Sequence, residues 1–270
     1  MNFSIIRILT ENTIAKEYRN KALLFIFIFT LGVITLANIL LDFINTNFNI
    51  GGAAGLGDKG FFIMFFVISS ISTITSILLG LGCIKSDFES SSISQILAFP
   101  IRRIEFLISR VLGAWIIALL FFLLSVGYTV LLFSLTTSTS FINGSLFFAT
   151  ISMGANMLTL ITFSALISLY VPKLYAFIIL MFFRTYTAAT GSYLVSQGPE
   201  ALFTDLSFMK VINLSLYFFF PRMQVMDAYS KEFLAGASFT MDSLAFFSHY
   251  FVTFIILFAI FGALFSRKEV

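Results

Sequence analysis

"FFIMFFVISSISTITSILLGLGCIKSDFESSSISQILAFPIRRIEF", residues Phe61 to Phe106, decides the fold. Its first part, Phe61 to Ile84, contains no charged side chain. About 20 such residues suffice for a helix rising ~1.5 Å per residue to cross ~30 Å of hydrocarbon. The second part turns abruptly polar, with a serine cluster, Pro100 and the adjacent pair Arg102 and Arg103. An apolar run of membrane length that ends in a compact polar insert describes a chain that crosses a bilayer, emerges into water and then re-enters.

Composition agrees. Of 270 residues, 59% are hydrophobic, 11% are charged and 37 are phenylalanine, whereas a soluble domain carries about 25% charged residues. The net charge of +3 is spread along the chain without a clustered basic stripe, which argues against nucleic acid as a partner. Cys83 is the single cysteine, so neither an internal disulfide nor a thiolate cluster can form within one chain. Five further runs match the first: Ala22 to Leu41, Val111 to Ser134, roughly Phe141 to Val171, Leu174 to Gln197 (interrupted by Arg184), and Ser243 to Ser266. The run at Ala22 starts late, is too long for the apolar part of a signal peptide and lacks an A-x-A site, so it is read as a span. The expected fold is an all-α membrane protein of six transmembrane helices in one transmembrane domain, 1–270.

Lysine and arginine are retained on the cytoplasmic side of membrane proteins. With the N-terminus inside, that side receives Arg7, Lys16, Arg19, Lys21, Lys85, Arg102, Arg103, Arg110, Lys173, Arg267 and Lys268, and the other receives Lys59, Lys210, Arg222 and Lys231. Eleven against four places both termini, and the insert at 85–104, in the cytoplasm.

Ser86-Asp87-Phe88-Glu89 fits the S-x-x-E capping box, which predicts a short helix starting at Ser86. Ile93, Ile96 and Leu97 share one edge of that helix, and Pro100 ends it near Ala98 by biasing Phe99 out of the helical region. Ile101 to Arg110 reads as a cytoplasmic extension of the third span. From the residues alone, the short helix either projects as a docking element or lies on lipid.

Glu89, Ile96, Leu97, Pro100, Ile101, Arg103, Arg110, Leu112 and Gly113, at these spacings, resemble the cytoplasmic loop of the type-2 ABC-transporter permeases. The likeness extends over the whole chain: an amphipathic N-terminal segment (1–21), six spans, this loop between the second and third, and a long extracytoplasmic segment (198–242) before the sixth. Within that last segment "FFPRMQVMD" carries Pro221 and Asp227, which look like the family's proline and aspartate. The glycine common in the family's loop is missing, and Ser90 to Ser92 stand in its region.

The resemblance implies that the insert is a coupling helix seated in a separate ATP-binding cassette ATPase subunit, with Glu89, Ile93, Leu97, Pro100, Arg103 and Arg110 as coupling residues. ATP and Mg would be held by that subunit, and this chain would bind no cofactor and catalyse nothing. No G-x-x-x-x-G-K occurs here. The Gly55 to Gly60 match to G-x-G-x-x-G lacks a preceding strand and reads as an external turn. The N-terminal segment reads as an interfacial helix meeting anionic membrane lipids, or leaning also on the ATPase. A homodimer, or a pair with a similar permease, in a bacterial inner membrane follows from the same resemblance.

Arg184 lies about halfway along the fifth run, where a charge costs at least ~2.5 kcal/mol on insertion scales. No Asp or Glu falls within any of the six runs. Its expected partner is therefore a backbone carbonyl, a polar side chain such as Asn156, water or an anionic ligand, and its role either pathway or clamp. Thr187 belongs to the polar outer half of the same run. Ser69, Ser72, Thr73, Ser76 and Gly80 form a small-residue stripe suited to helix packing or solute contact. Ser76, Arg184, Thr187, Pro221 and Asp227 are thus the candidates for a translocation path or gate. Val211 to Phe220 is too short to span, and predicts a re-entrant or interfacial helix pair with Pro221 at the break. His249 has no cysteine or carboxylate at ligand spacing, which favours a structural role over metal binding. An ATP-driven exporter of a hydrophobic or amphipathic substrate is the leading function. The alternatives are an ATP-independent carrier or channel, disfavoured by the lack of a carboxylate in the spans, and a scaffold that transmits force without transporting.

Overall fold

The computed structural model describes residues 3–19, 21–48, 55–89, 101–136, 143–197, 207–235 and 241–267. These form α1 (Phe3–Tyr18), α2 (Lys21–Phe48), α3 (Gly55–Cys83), α4 (Lys85–Glu89), α5 (Arg103–Thr136), α6 (Gly144–Ser168), α7 (Lys173–Gln197), α8 (Phe208–Phe219), α9 (Met223–Leu234) and α10 (Met241–Arg267), and no strand occurs among the described residues. Six helices are long and apolar enough to cross a membrane: Lys21–Ile44, Gly60–Glu89, Arg103–Leu135, Gly144–Ser168, Lys173–Gly191 and Leu244–Arg267. They coincide with the six runs read from the sequence. Positions 90–100, which contain Ile93, Leu97 and Pro100, lie outside the described residues.

Local chemistry sets the helix ends. The Asn143 side chain accepts from the Leu146 amide at 2.9 Å and starts α6, and Ser207 does the same for Lys210 at the head of α8. At the start of α5 the Arg102 carbonyl accepts from the Glu105 and Phe106 amides while the Glu105 carboxylate returns to the Arg102 amide at 3.2 Å. Phe220 is extended ahead of Pro221, which ends α8 and lets α9 begin two residues later.

The small-residue stripe of α3 is buried against α6. A Cβ on Gly80 would fall 2.7 Å from the Ile161 carbonyl oxygen and 2.9 Å from Ile161 Cα, so these backbones touch where only glycine fits. α5 closes a central trio with α3 and α6. Phe65 meets Phe122 edge-on at 5.8 Å, and Trp115 Nε1 donates to the Gly154 carbonyl at 2.8 Å. α2 is peripheral, with 11% of its apolar window buried against 56% for α6. It is tied to α5 by a 2.8 Å hydrogen bond between the Thr35 and Tyr128 hydroxyls.

α1 does not stand apart from the bundle. Ile6, Leu9, Thr13 and Glu17, spaced as one helical face, are buried. That face packs on the first turns of α5, where a Cβ on Gly113 would come 2.6 Å from Thr13 Cβ. Phe3, Ile8 and Tyr18 of the same helix remain exposed. α9 inserts beside α6 and α7, burying Met223, Met226, Ser230 and Phe233.

Candidate functional site

Two clusters of charge sit inside this apolar frame. The first lies where α3 gives way to α4. Asp87, 2% exposed, receives Lys16 Nζ of α1 on Oδ1 at 2.7 Å, and Arg110 Nε of α5 stands 2.8 Å from Oδ2. The Arg110 contact is an ion pair by distance, without the alignment of a hydrogen bond. Arg110 is equally buried; its Nη1 donates to Thr13 at 2.7 Å and its guanidinium lies 5.1 Å from the Phe106 ring centre. Lys16 Nζ also donates to Ser86 Oγ at 2.6 Å, and that hydroxyl donates to the Gly82 carbonyl. One carboxylate therefore joins α1, α4 and α5, and it takes this role because two cations from distant positions converge on it.

Of the six residues expected to couple, Glu89, Arg103 and Arg110 fall among the described residues. Arg110 is within this junction. Glu89, expected to return to the Ser86 amide, reaches Lys173 at the head of α7, 2.5 Å away. Arg103 Nη1 donates to the Ser266 carbonyl at 2.9 Å, bracing the start of α5 against the end of α10, where Phe106 stacks on Phe265. Ile93, Leu97 and Pro100 lie outside the described residues.

The second cluster is built around Arg184. Its partner is Asp227 of α9, with Nη2 to Oδ2 at 2.5 Å. This corrects the expectation that the partner had to be something other than a carboxylate. The six runs hold no acid, but α9, outside all of them, carries one to Arg184. Asn156, at the midpoint of α6 and fully buried, donates Nδ2 to Asp227 Oδ1 at 2.6 Å. Behind it the buried Tyr250 hydroxyl donates to Thr159 at 2.7 Å. Four helices thus meet through side-chain polar contacts in a medium where each lost partner is costly. The six runs still hold no acid, but α9 brings a carboxylate against them, which weakens the argument against an ion-coupled carrier.

The pathway candidates separate into two crevices. Thr187 and Pro221 line one between α7 and the α8–α9 corner, where the Arg222 guanidinium lies 3.6 Å from the Tyr217 ring centre. Burial pushes the Arg222 pKa below its ordinary value, with Tyr217 opposing. Arg184 and Asp227 line the other, together with Phe66, Ser69, Ser230 and Lys231. Ser76 lines neither; it is fully buried and its hydroxyl donates to the Ser72 carbonyl at 2.8 Å. His249 Nε2 lies 2.9 Å from the Phe218 carbonyl, joining α10 to the end of α8.

Sequence reasoning missed Asp87 as the centre of the first cluster. The available signal was its position, the acid nearest the end of an apolar run with Lys85, Arg102 and Arg110 in the flanking segments. Its partner Lys16 lies 71 positions away and carries no local mark. No family model matches the chain, and no curated protein matches it.

Proposed function

We propose that this chain is the membrane-spanning permease subunit of an ATP-driven ABC transporter of the type-2 kind, exporting a hydrophobic or amphipathic substrate through a dimer of such subunits. The observation that carries this reading is the buried junction at Asp87. Force on the 90–100 segment is transmitted inward only if its root is stiff, and there α4 is held to α1 by Lys16 and to α5 by Arg110. α5 then continues for 34 residues, about 51 Å at ~1.5 Å per residue, against a hydrocarbon thickness of ~30 Å. One rigid body therefore reaches from the aqueous segment through the membrane, the geometry that converts closure of two ATPase subunits below into movement of spans above. In this reading α8 and α9 form a re-entrant pair on the outer side, with Pro221 at its turn and Asp227 latching it to Arg184. The basic end, with α1 and α4, faces the cytoplasm.

A second reading is favoured by one specific observation. Asp227, held inside the bundle by Arg184 and Asn156, is the kind of intramembrane carboxylate on which ion-coupled carriers depend. The two readings part on the energy source. Purification of the full chain in mild detergent from its native membrane brings a nucleotide-binding polypeptide with it in the first, and transport in native vesicles stops when ATP is withdrawn. A chain that purifies alone and moves solute under an imposed proton gradient without ATP belongs to the second.

A further inference from the structure

Lys231 and Ser69 are left over from the contacts described above. Lys231 extends from α9 so that Nζ lies 4.5 Å from the centre of the Phe66 ring on α3, and it has no ion-pair partner among the described residues. Ser69 lies on the same wall with its hydroxyl buried and without a hydrogen-bond partner among the described residues. The neighbouring hydroxyls of Ser70 and Ser230 are committed, donating to the Phe66 and Met226 carbonyls at 2.9 and 2.8 Å. Ser69 is therefore the one serine in the crevice with its proton unused. Arg184 contributes the remaining edge of its guanidinium, and Asp227 is the single acid lining the space. Two cations and one carboxylate leave an excess of one positive charge, with an unspent donor beside it.

We propose that this crevice between α3, α7 and α9 binds an anionic oxygen group, phosphate or carboxylate, with Lys231 and Arg184 supplying charge and Ser69 a hydrogen bond. A charge-assisted contact is stronger than a neutral one, and the crevice, with the Arg184 and Asp227 side chains 24% and 18% exposed, is only partly hydrated. Phe65, Phe66 and Met153 form the apolar part of the wall, which suits an amphiphile whose headgroup is the anion. As the substrate site of the transporter proposed above, the crevice would take anionic rather than neutral or cationic amphiphiles. That assignment rests on the transporter reading, whereas binding itself needs no ATPase.

The test uses the full chain purified in a neutral maltoside detergent, with phosphatidic acid and phosphatidylcholine of identical tails titrated and bound copies counted by native mass spectrometry. Phosphatidic acid is expected to bind about tenfold more tightly, a difference of ~1.4 kcal/mol. Lys231→Gln is expected to remove most of that preference, and Ser69→Ala to weaken it several-fold without altering the unfolding temperature. Arg102→Gln, exposed at the start of α5 and away from the crevice, should leave it unchanged. Excess inorganic phosphate distinguishes the sources: displacement of the lipid assigns the site to the free anion, and failure to displace assigns it to an amphiphile headgroup. Equal binding of the two lipids, or a preference untouched by both Lys231→Gln and Ser69→Ala, overturns the proposal. Neither result bears on co-purification with an ATPase, so the two ideas fail separately.

Discussion

Asp87 Oδ2 and Arg110 Nε stand 2.8 Å apart with only 3% of either side chain exposed. A pair so thoroughly removed from water adds little net stability over a well-packed apolar pair, but losing one member strands the other. Asp87→Asn is therefore expected to destabilise the protein by about 3–5 kcal/mol, the usual effect of leaving a buried charge uncompensated. Combining it with Arg110→Met should recover part of the loss. A thermal-unfolding double-mutant cycle in detergent measures the coupling, and additive losses would remove the junction from the account of force transmission.

The second ion pair is less shielded, with side-chain exposures of 24% for Arg184 and 18% for Asp227. Asp227→Asn should accordingly cost less, about 1–3 kcal/mol, because partial hydration softens the loss of a partner. Its more specific consequence is release of α9 from α7. Amide hydrogen exchange in 223–234 should accelerate relative to α6, and unchanged protection there would show that apolar packing alone holds α9 in place.

Gly80 and Gly127 offer a matched pair. A methyl group at Gly80 meets the backbone of Ile161, which cannot rotate away, whereas nothing lies within 4 Å of the position a Cβ would take at Gly127. Gly80→Ala is expected to cost about 1–3 kcal/mol through overpacking. Gly127→Ala should be neutral or stabilising by about 0.5–1 kcal/mol, the usual effect of removing a helical glycine. Unfolding temperatures of the two variants check the α3–α6 contact directly.

Coupling is tested at Pro100 and Arg103. Under the transporter reading proposed above, replacing each with alanine should reduce stimulation of ATP hydrolysis by the proposed ATPase subunit in reconstituted vesicles while membrane expression stays at the parental level. Arg103→Ala also removes the contact to the Ser266 carbonyl, so a modest fall in thermal stability is expected there. Unaltered stimulation in both variants would count against the coupling role.

Cys83 is buried, which makes introduced cysteines clean reporters of orientation. Arg102→Cys and Gly144→Cys place thiols at exposed positions on opposite ends of the bundle. In right-side-out vesicles a membrane-impermeant maleimide should label the second and spare the first. The reverse pattern would invert the proposed topology.

Much of this architecture was legible one residue at a time. Length and apolarity report on whether a helix can cross hydrocarbon, and each of the six runs was visible without reference to any other. Pro221 marked the break between α8 and α9, and the glycine at 80 with its neighbouring hydroxyl residues marked a packing face. The capping signature at Ser86 did not predict the partner of Glu89, because Lys173 offers a charged alternative that exists only after α7 folds alongside.

The chain's order of amino acids was sufficient by itself to determine a six-span helical membrane protein, a polar insert after the second span and an intramembrane arginine needing compensation, since burial of apolar surface and the cost of an unpaired charge are set by local chemistry. Only the tertiary structure decided which groups compensate which: Asp87 for Lys16 and Arg110, Asp227 for Arg184. Those pairings join residues between 23 and 71 positions apart. Charge neutralisation acts across a few ångströms of space, and no spacing along the chain encodes it.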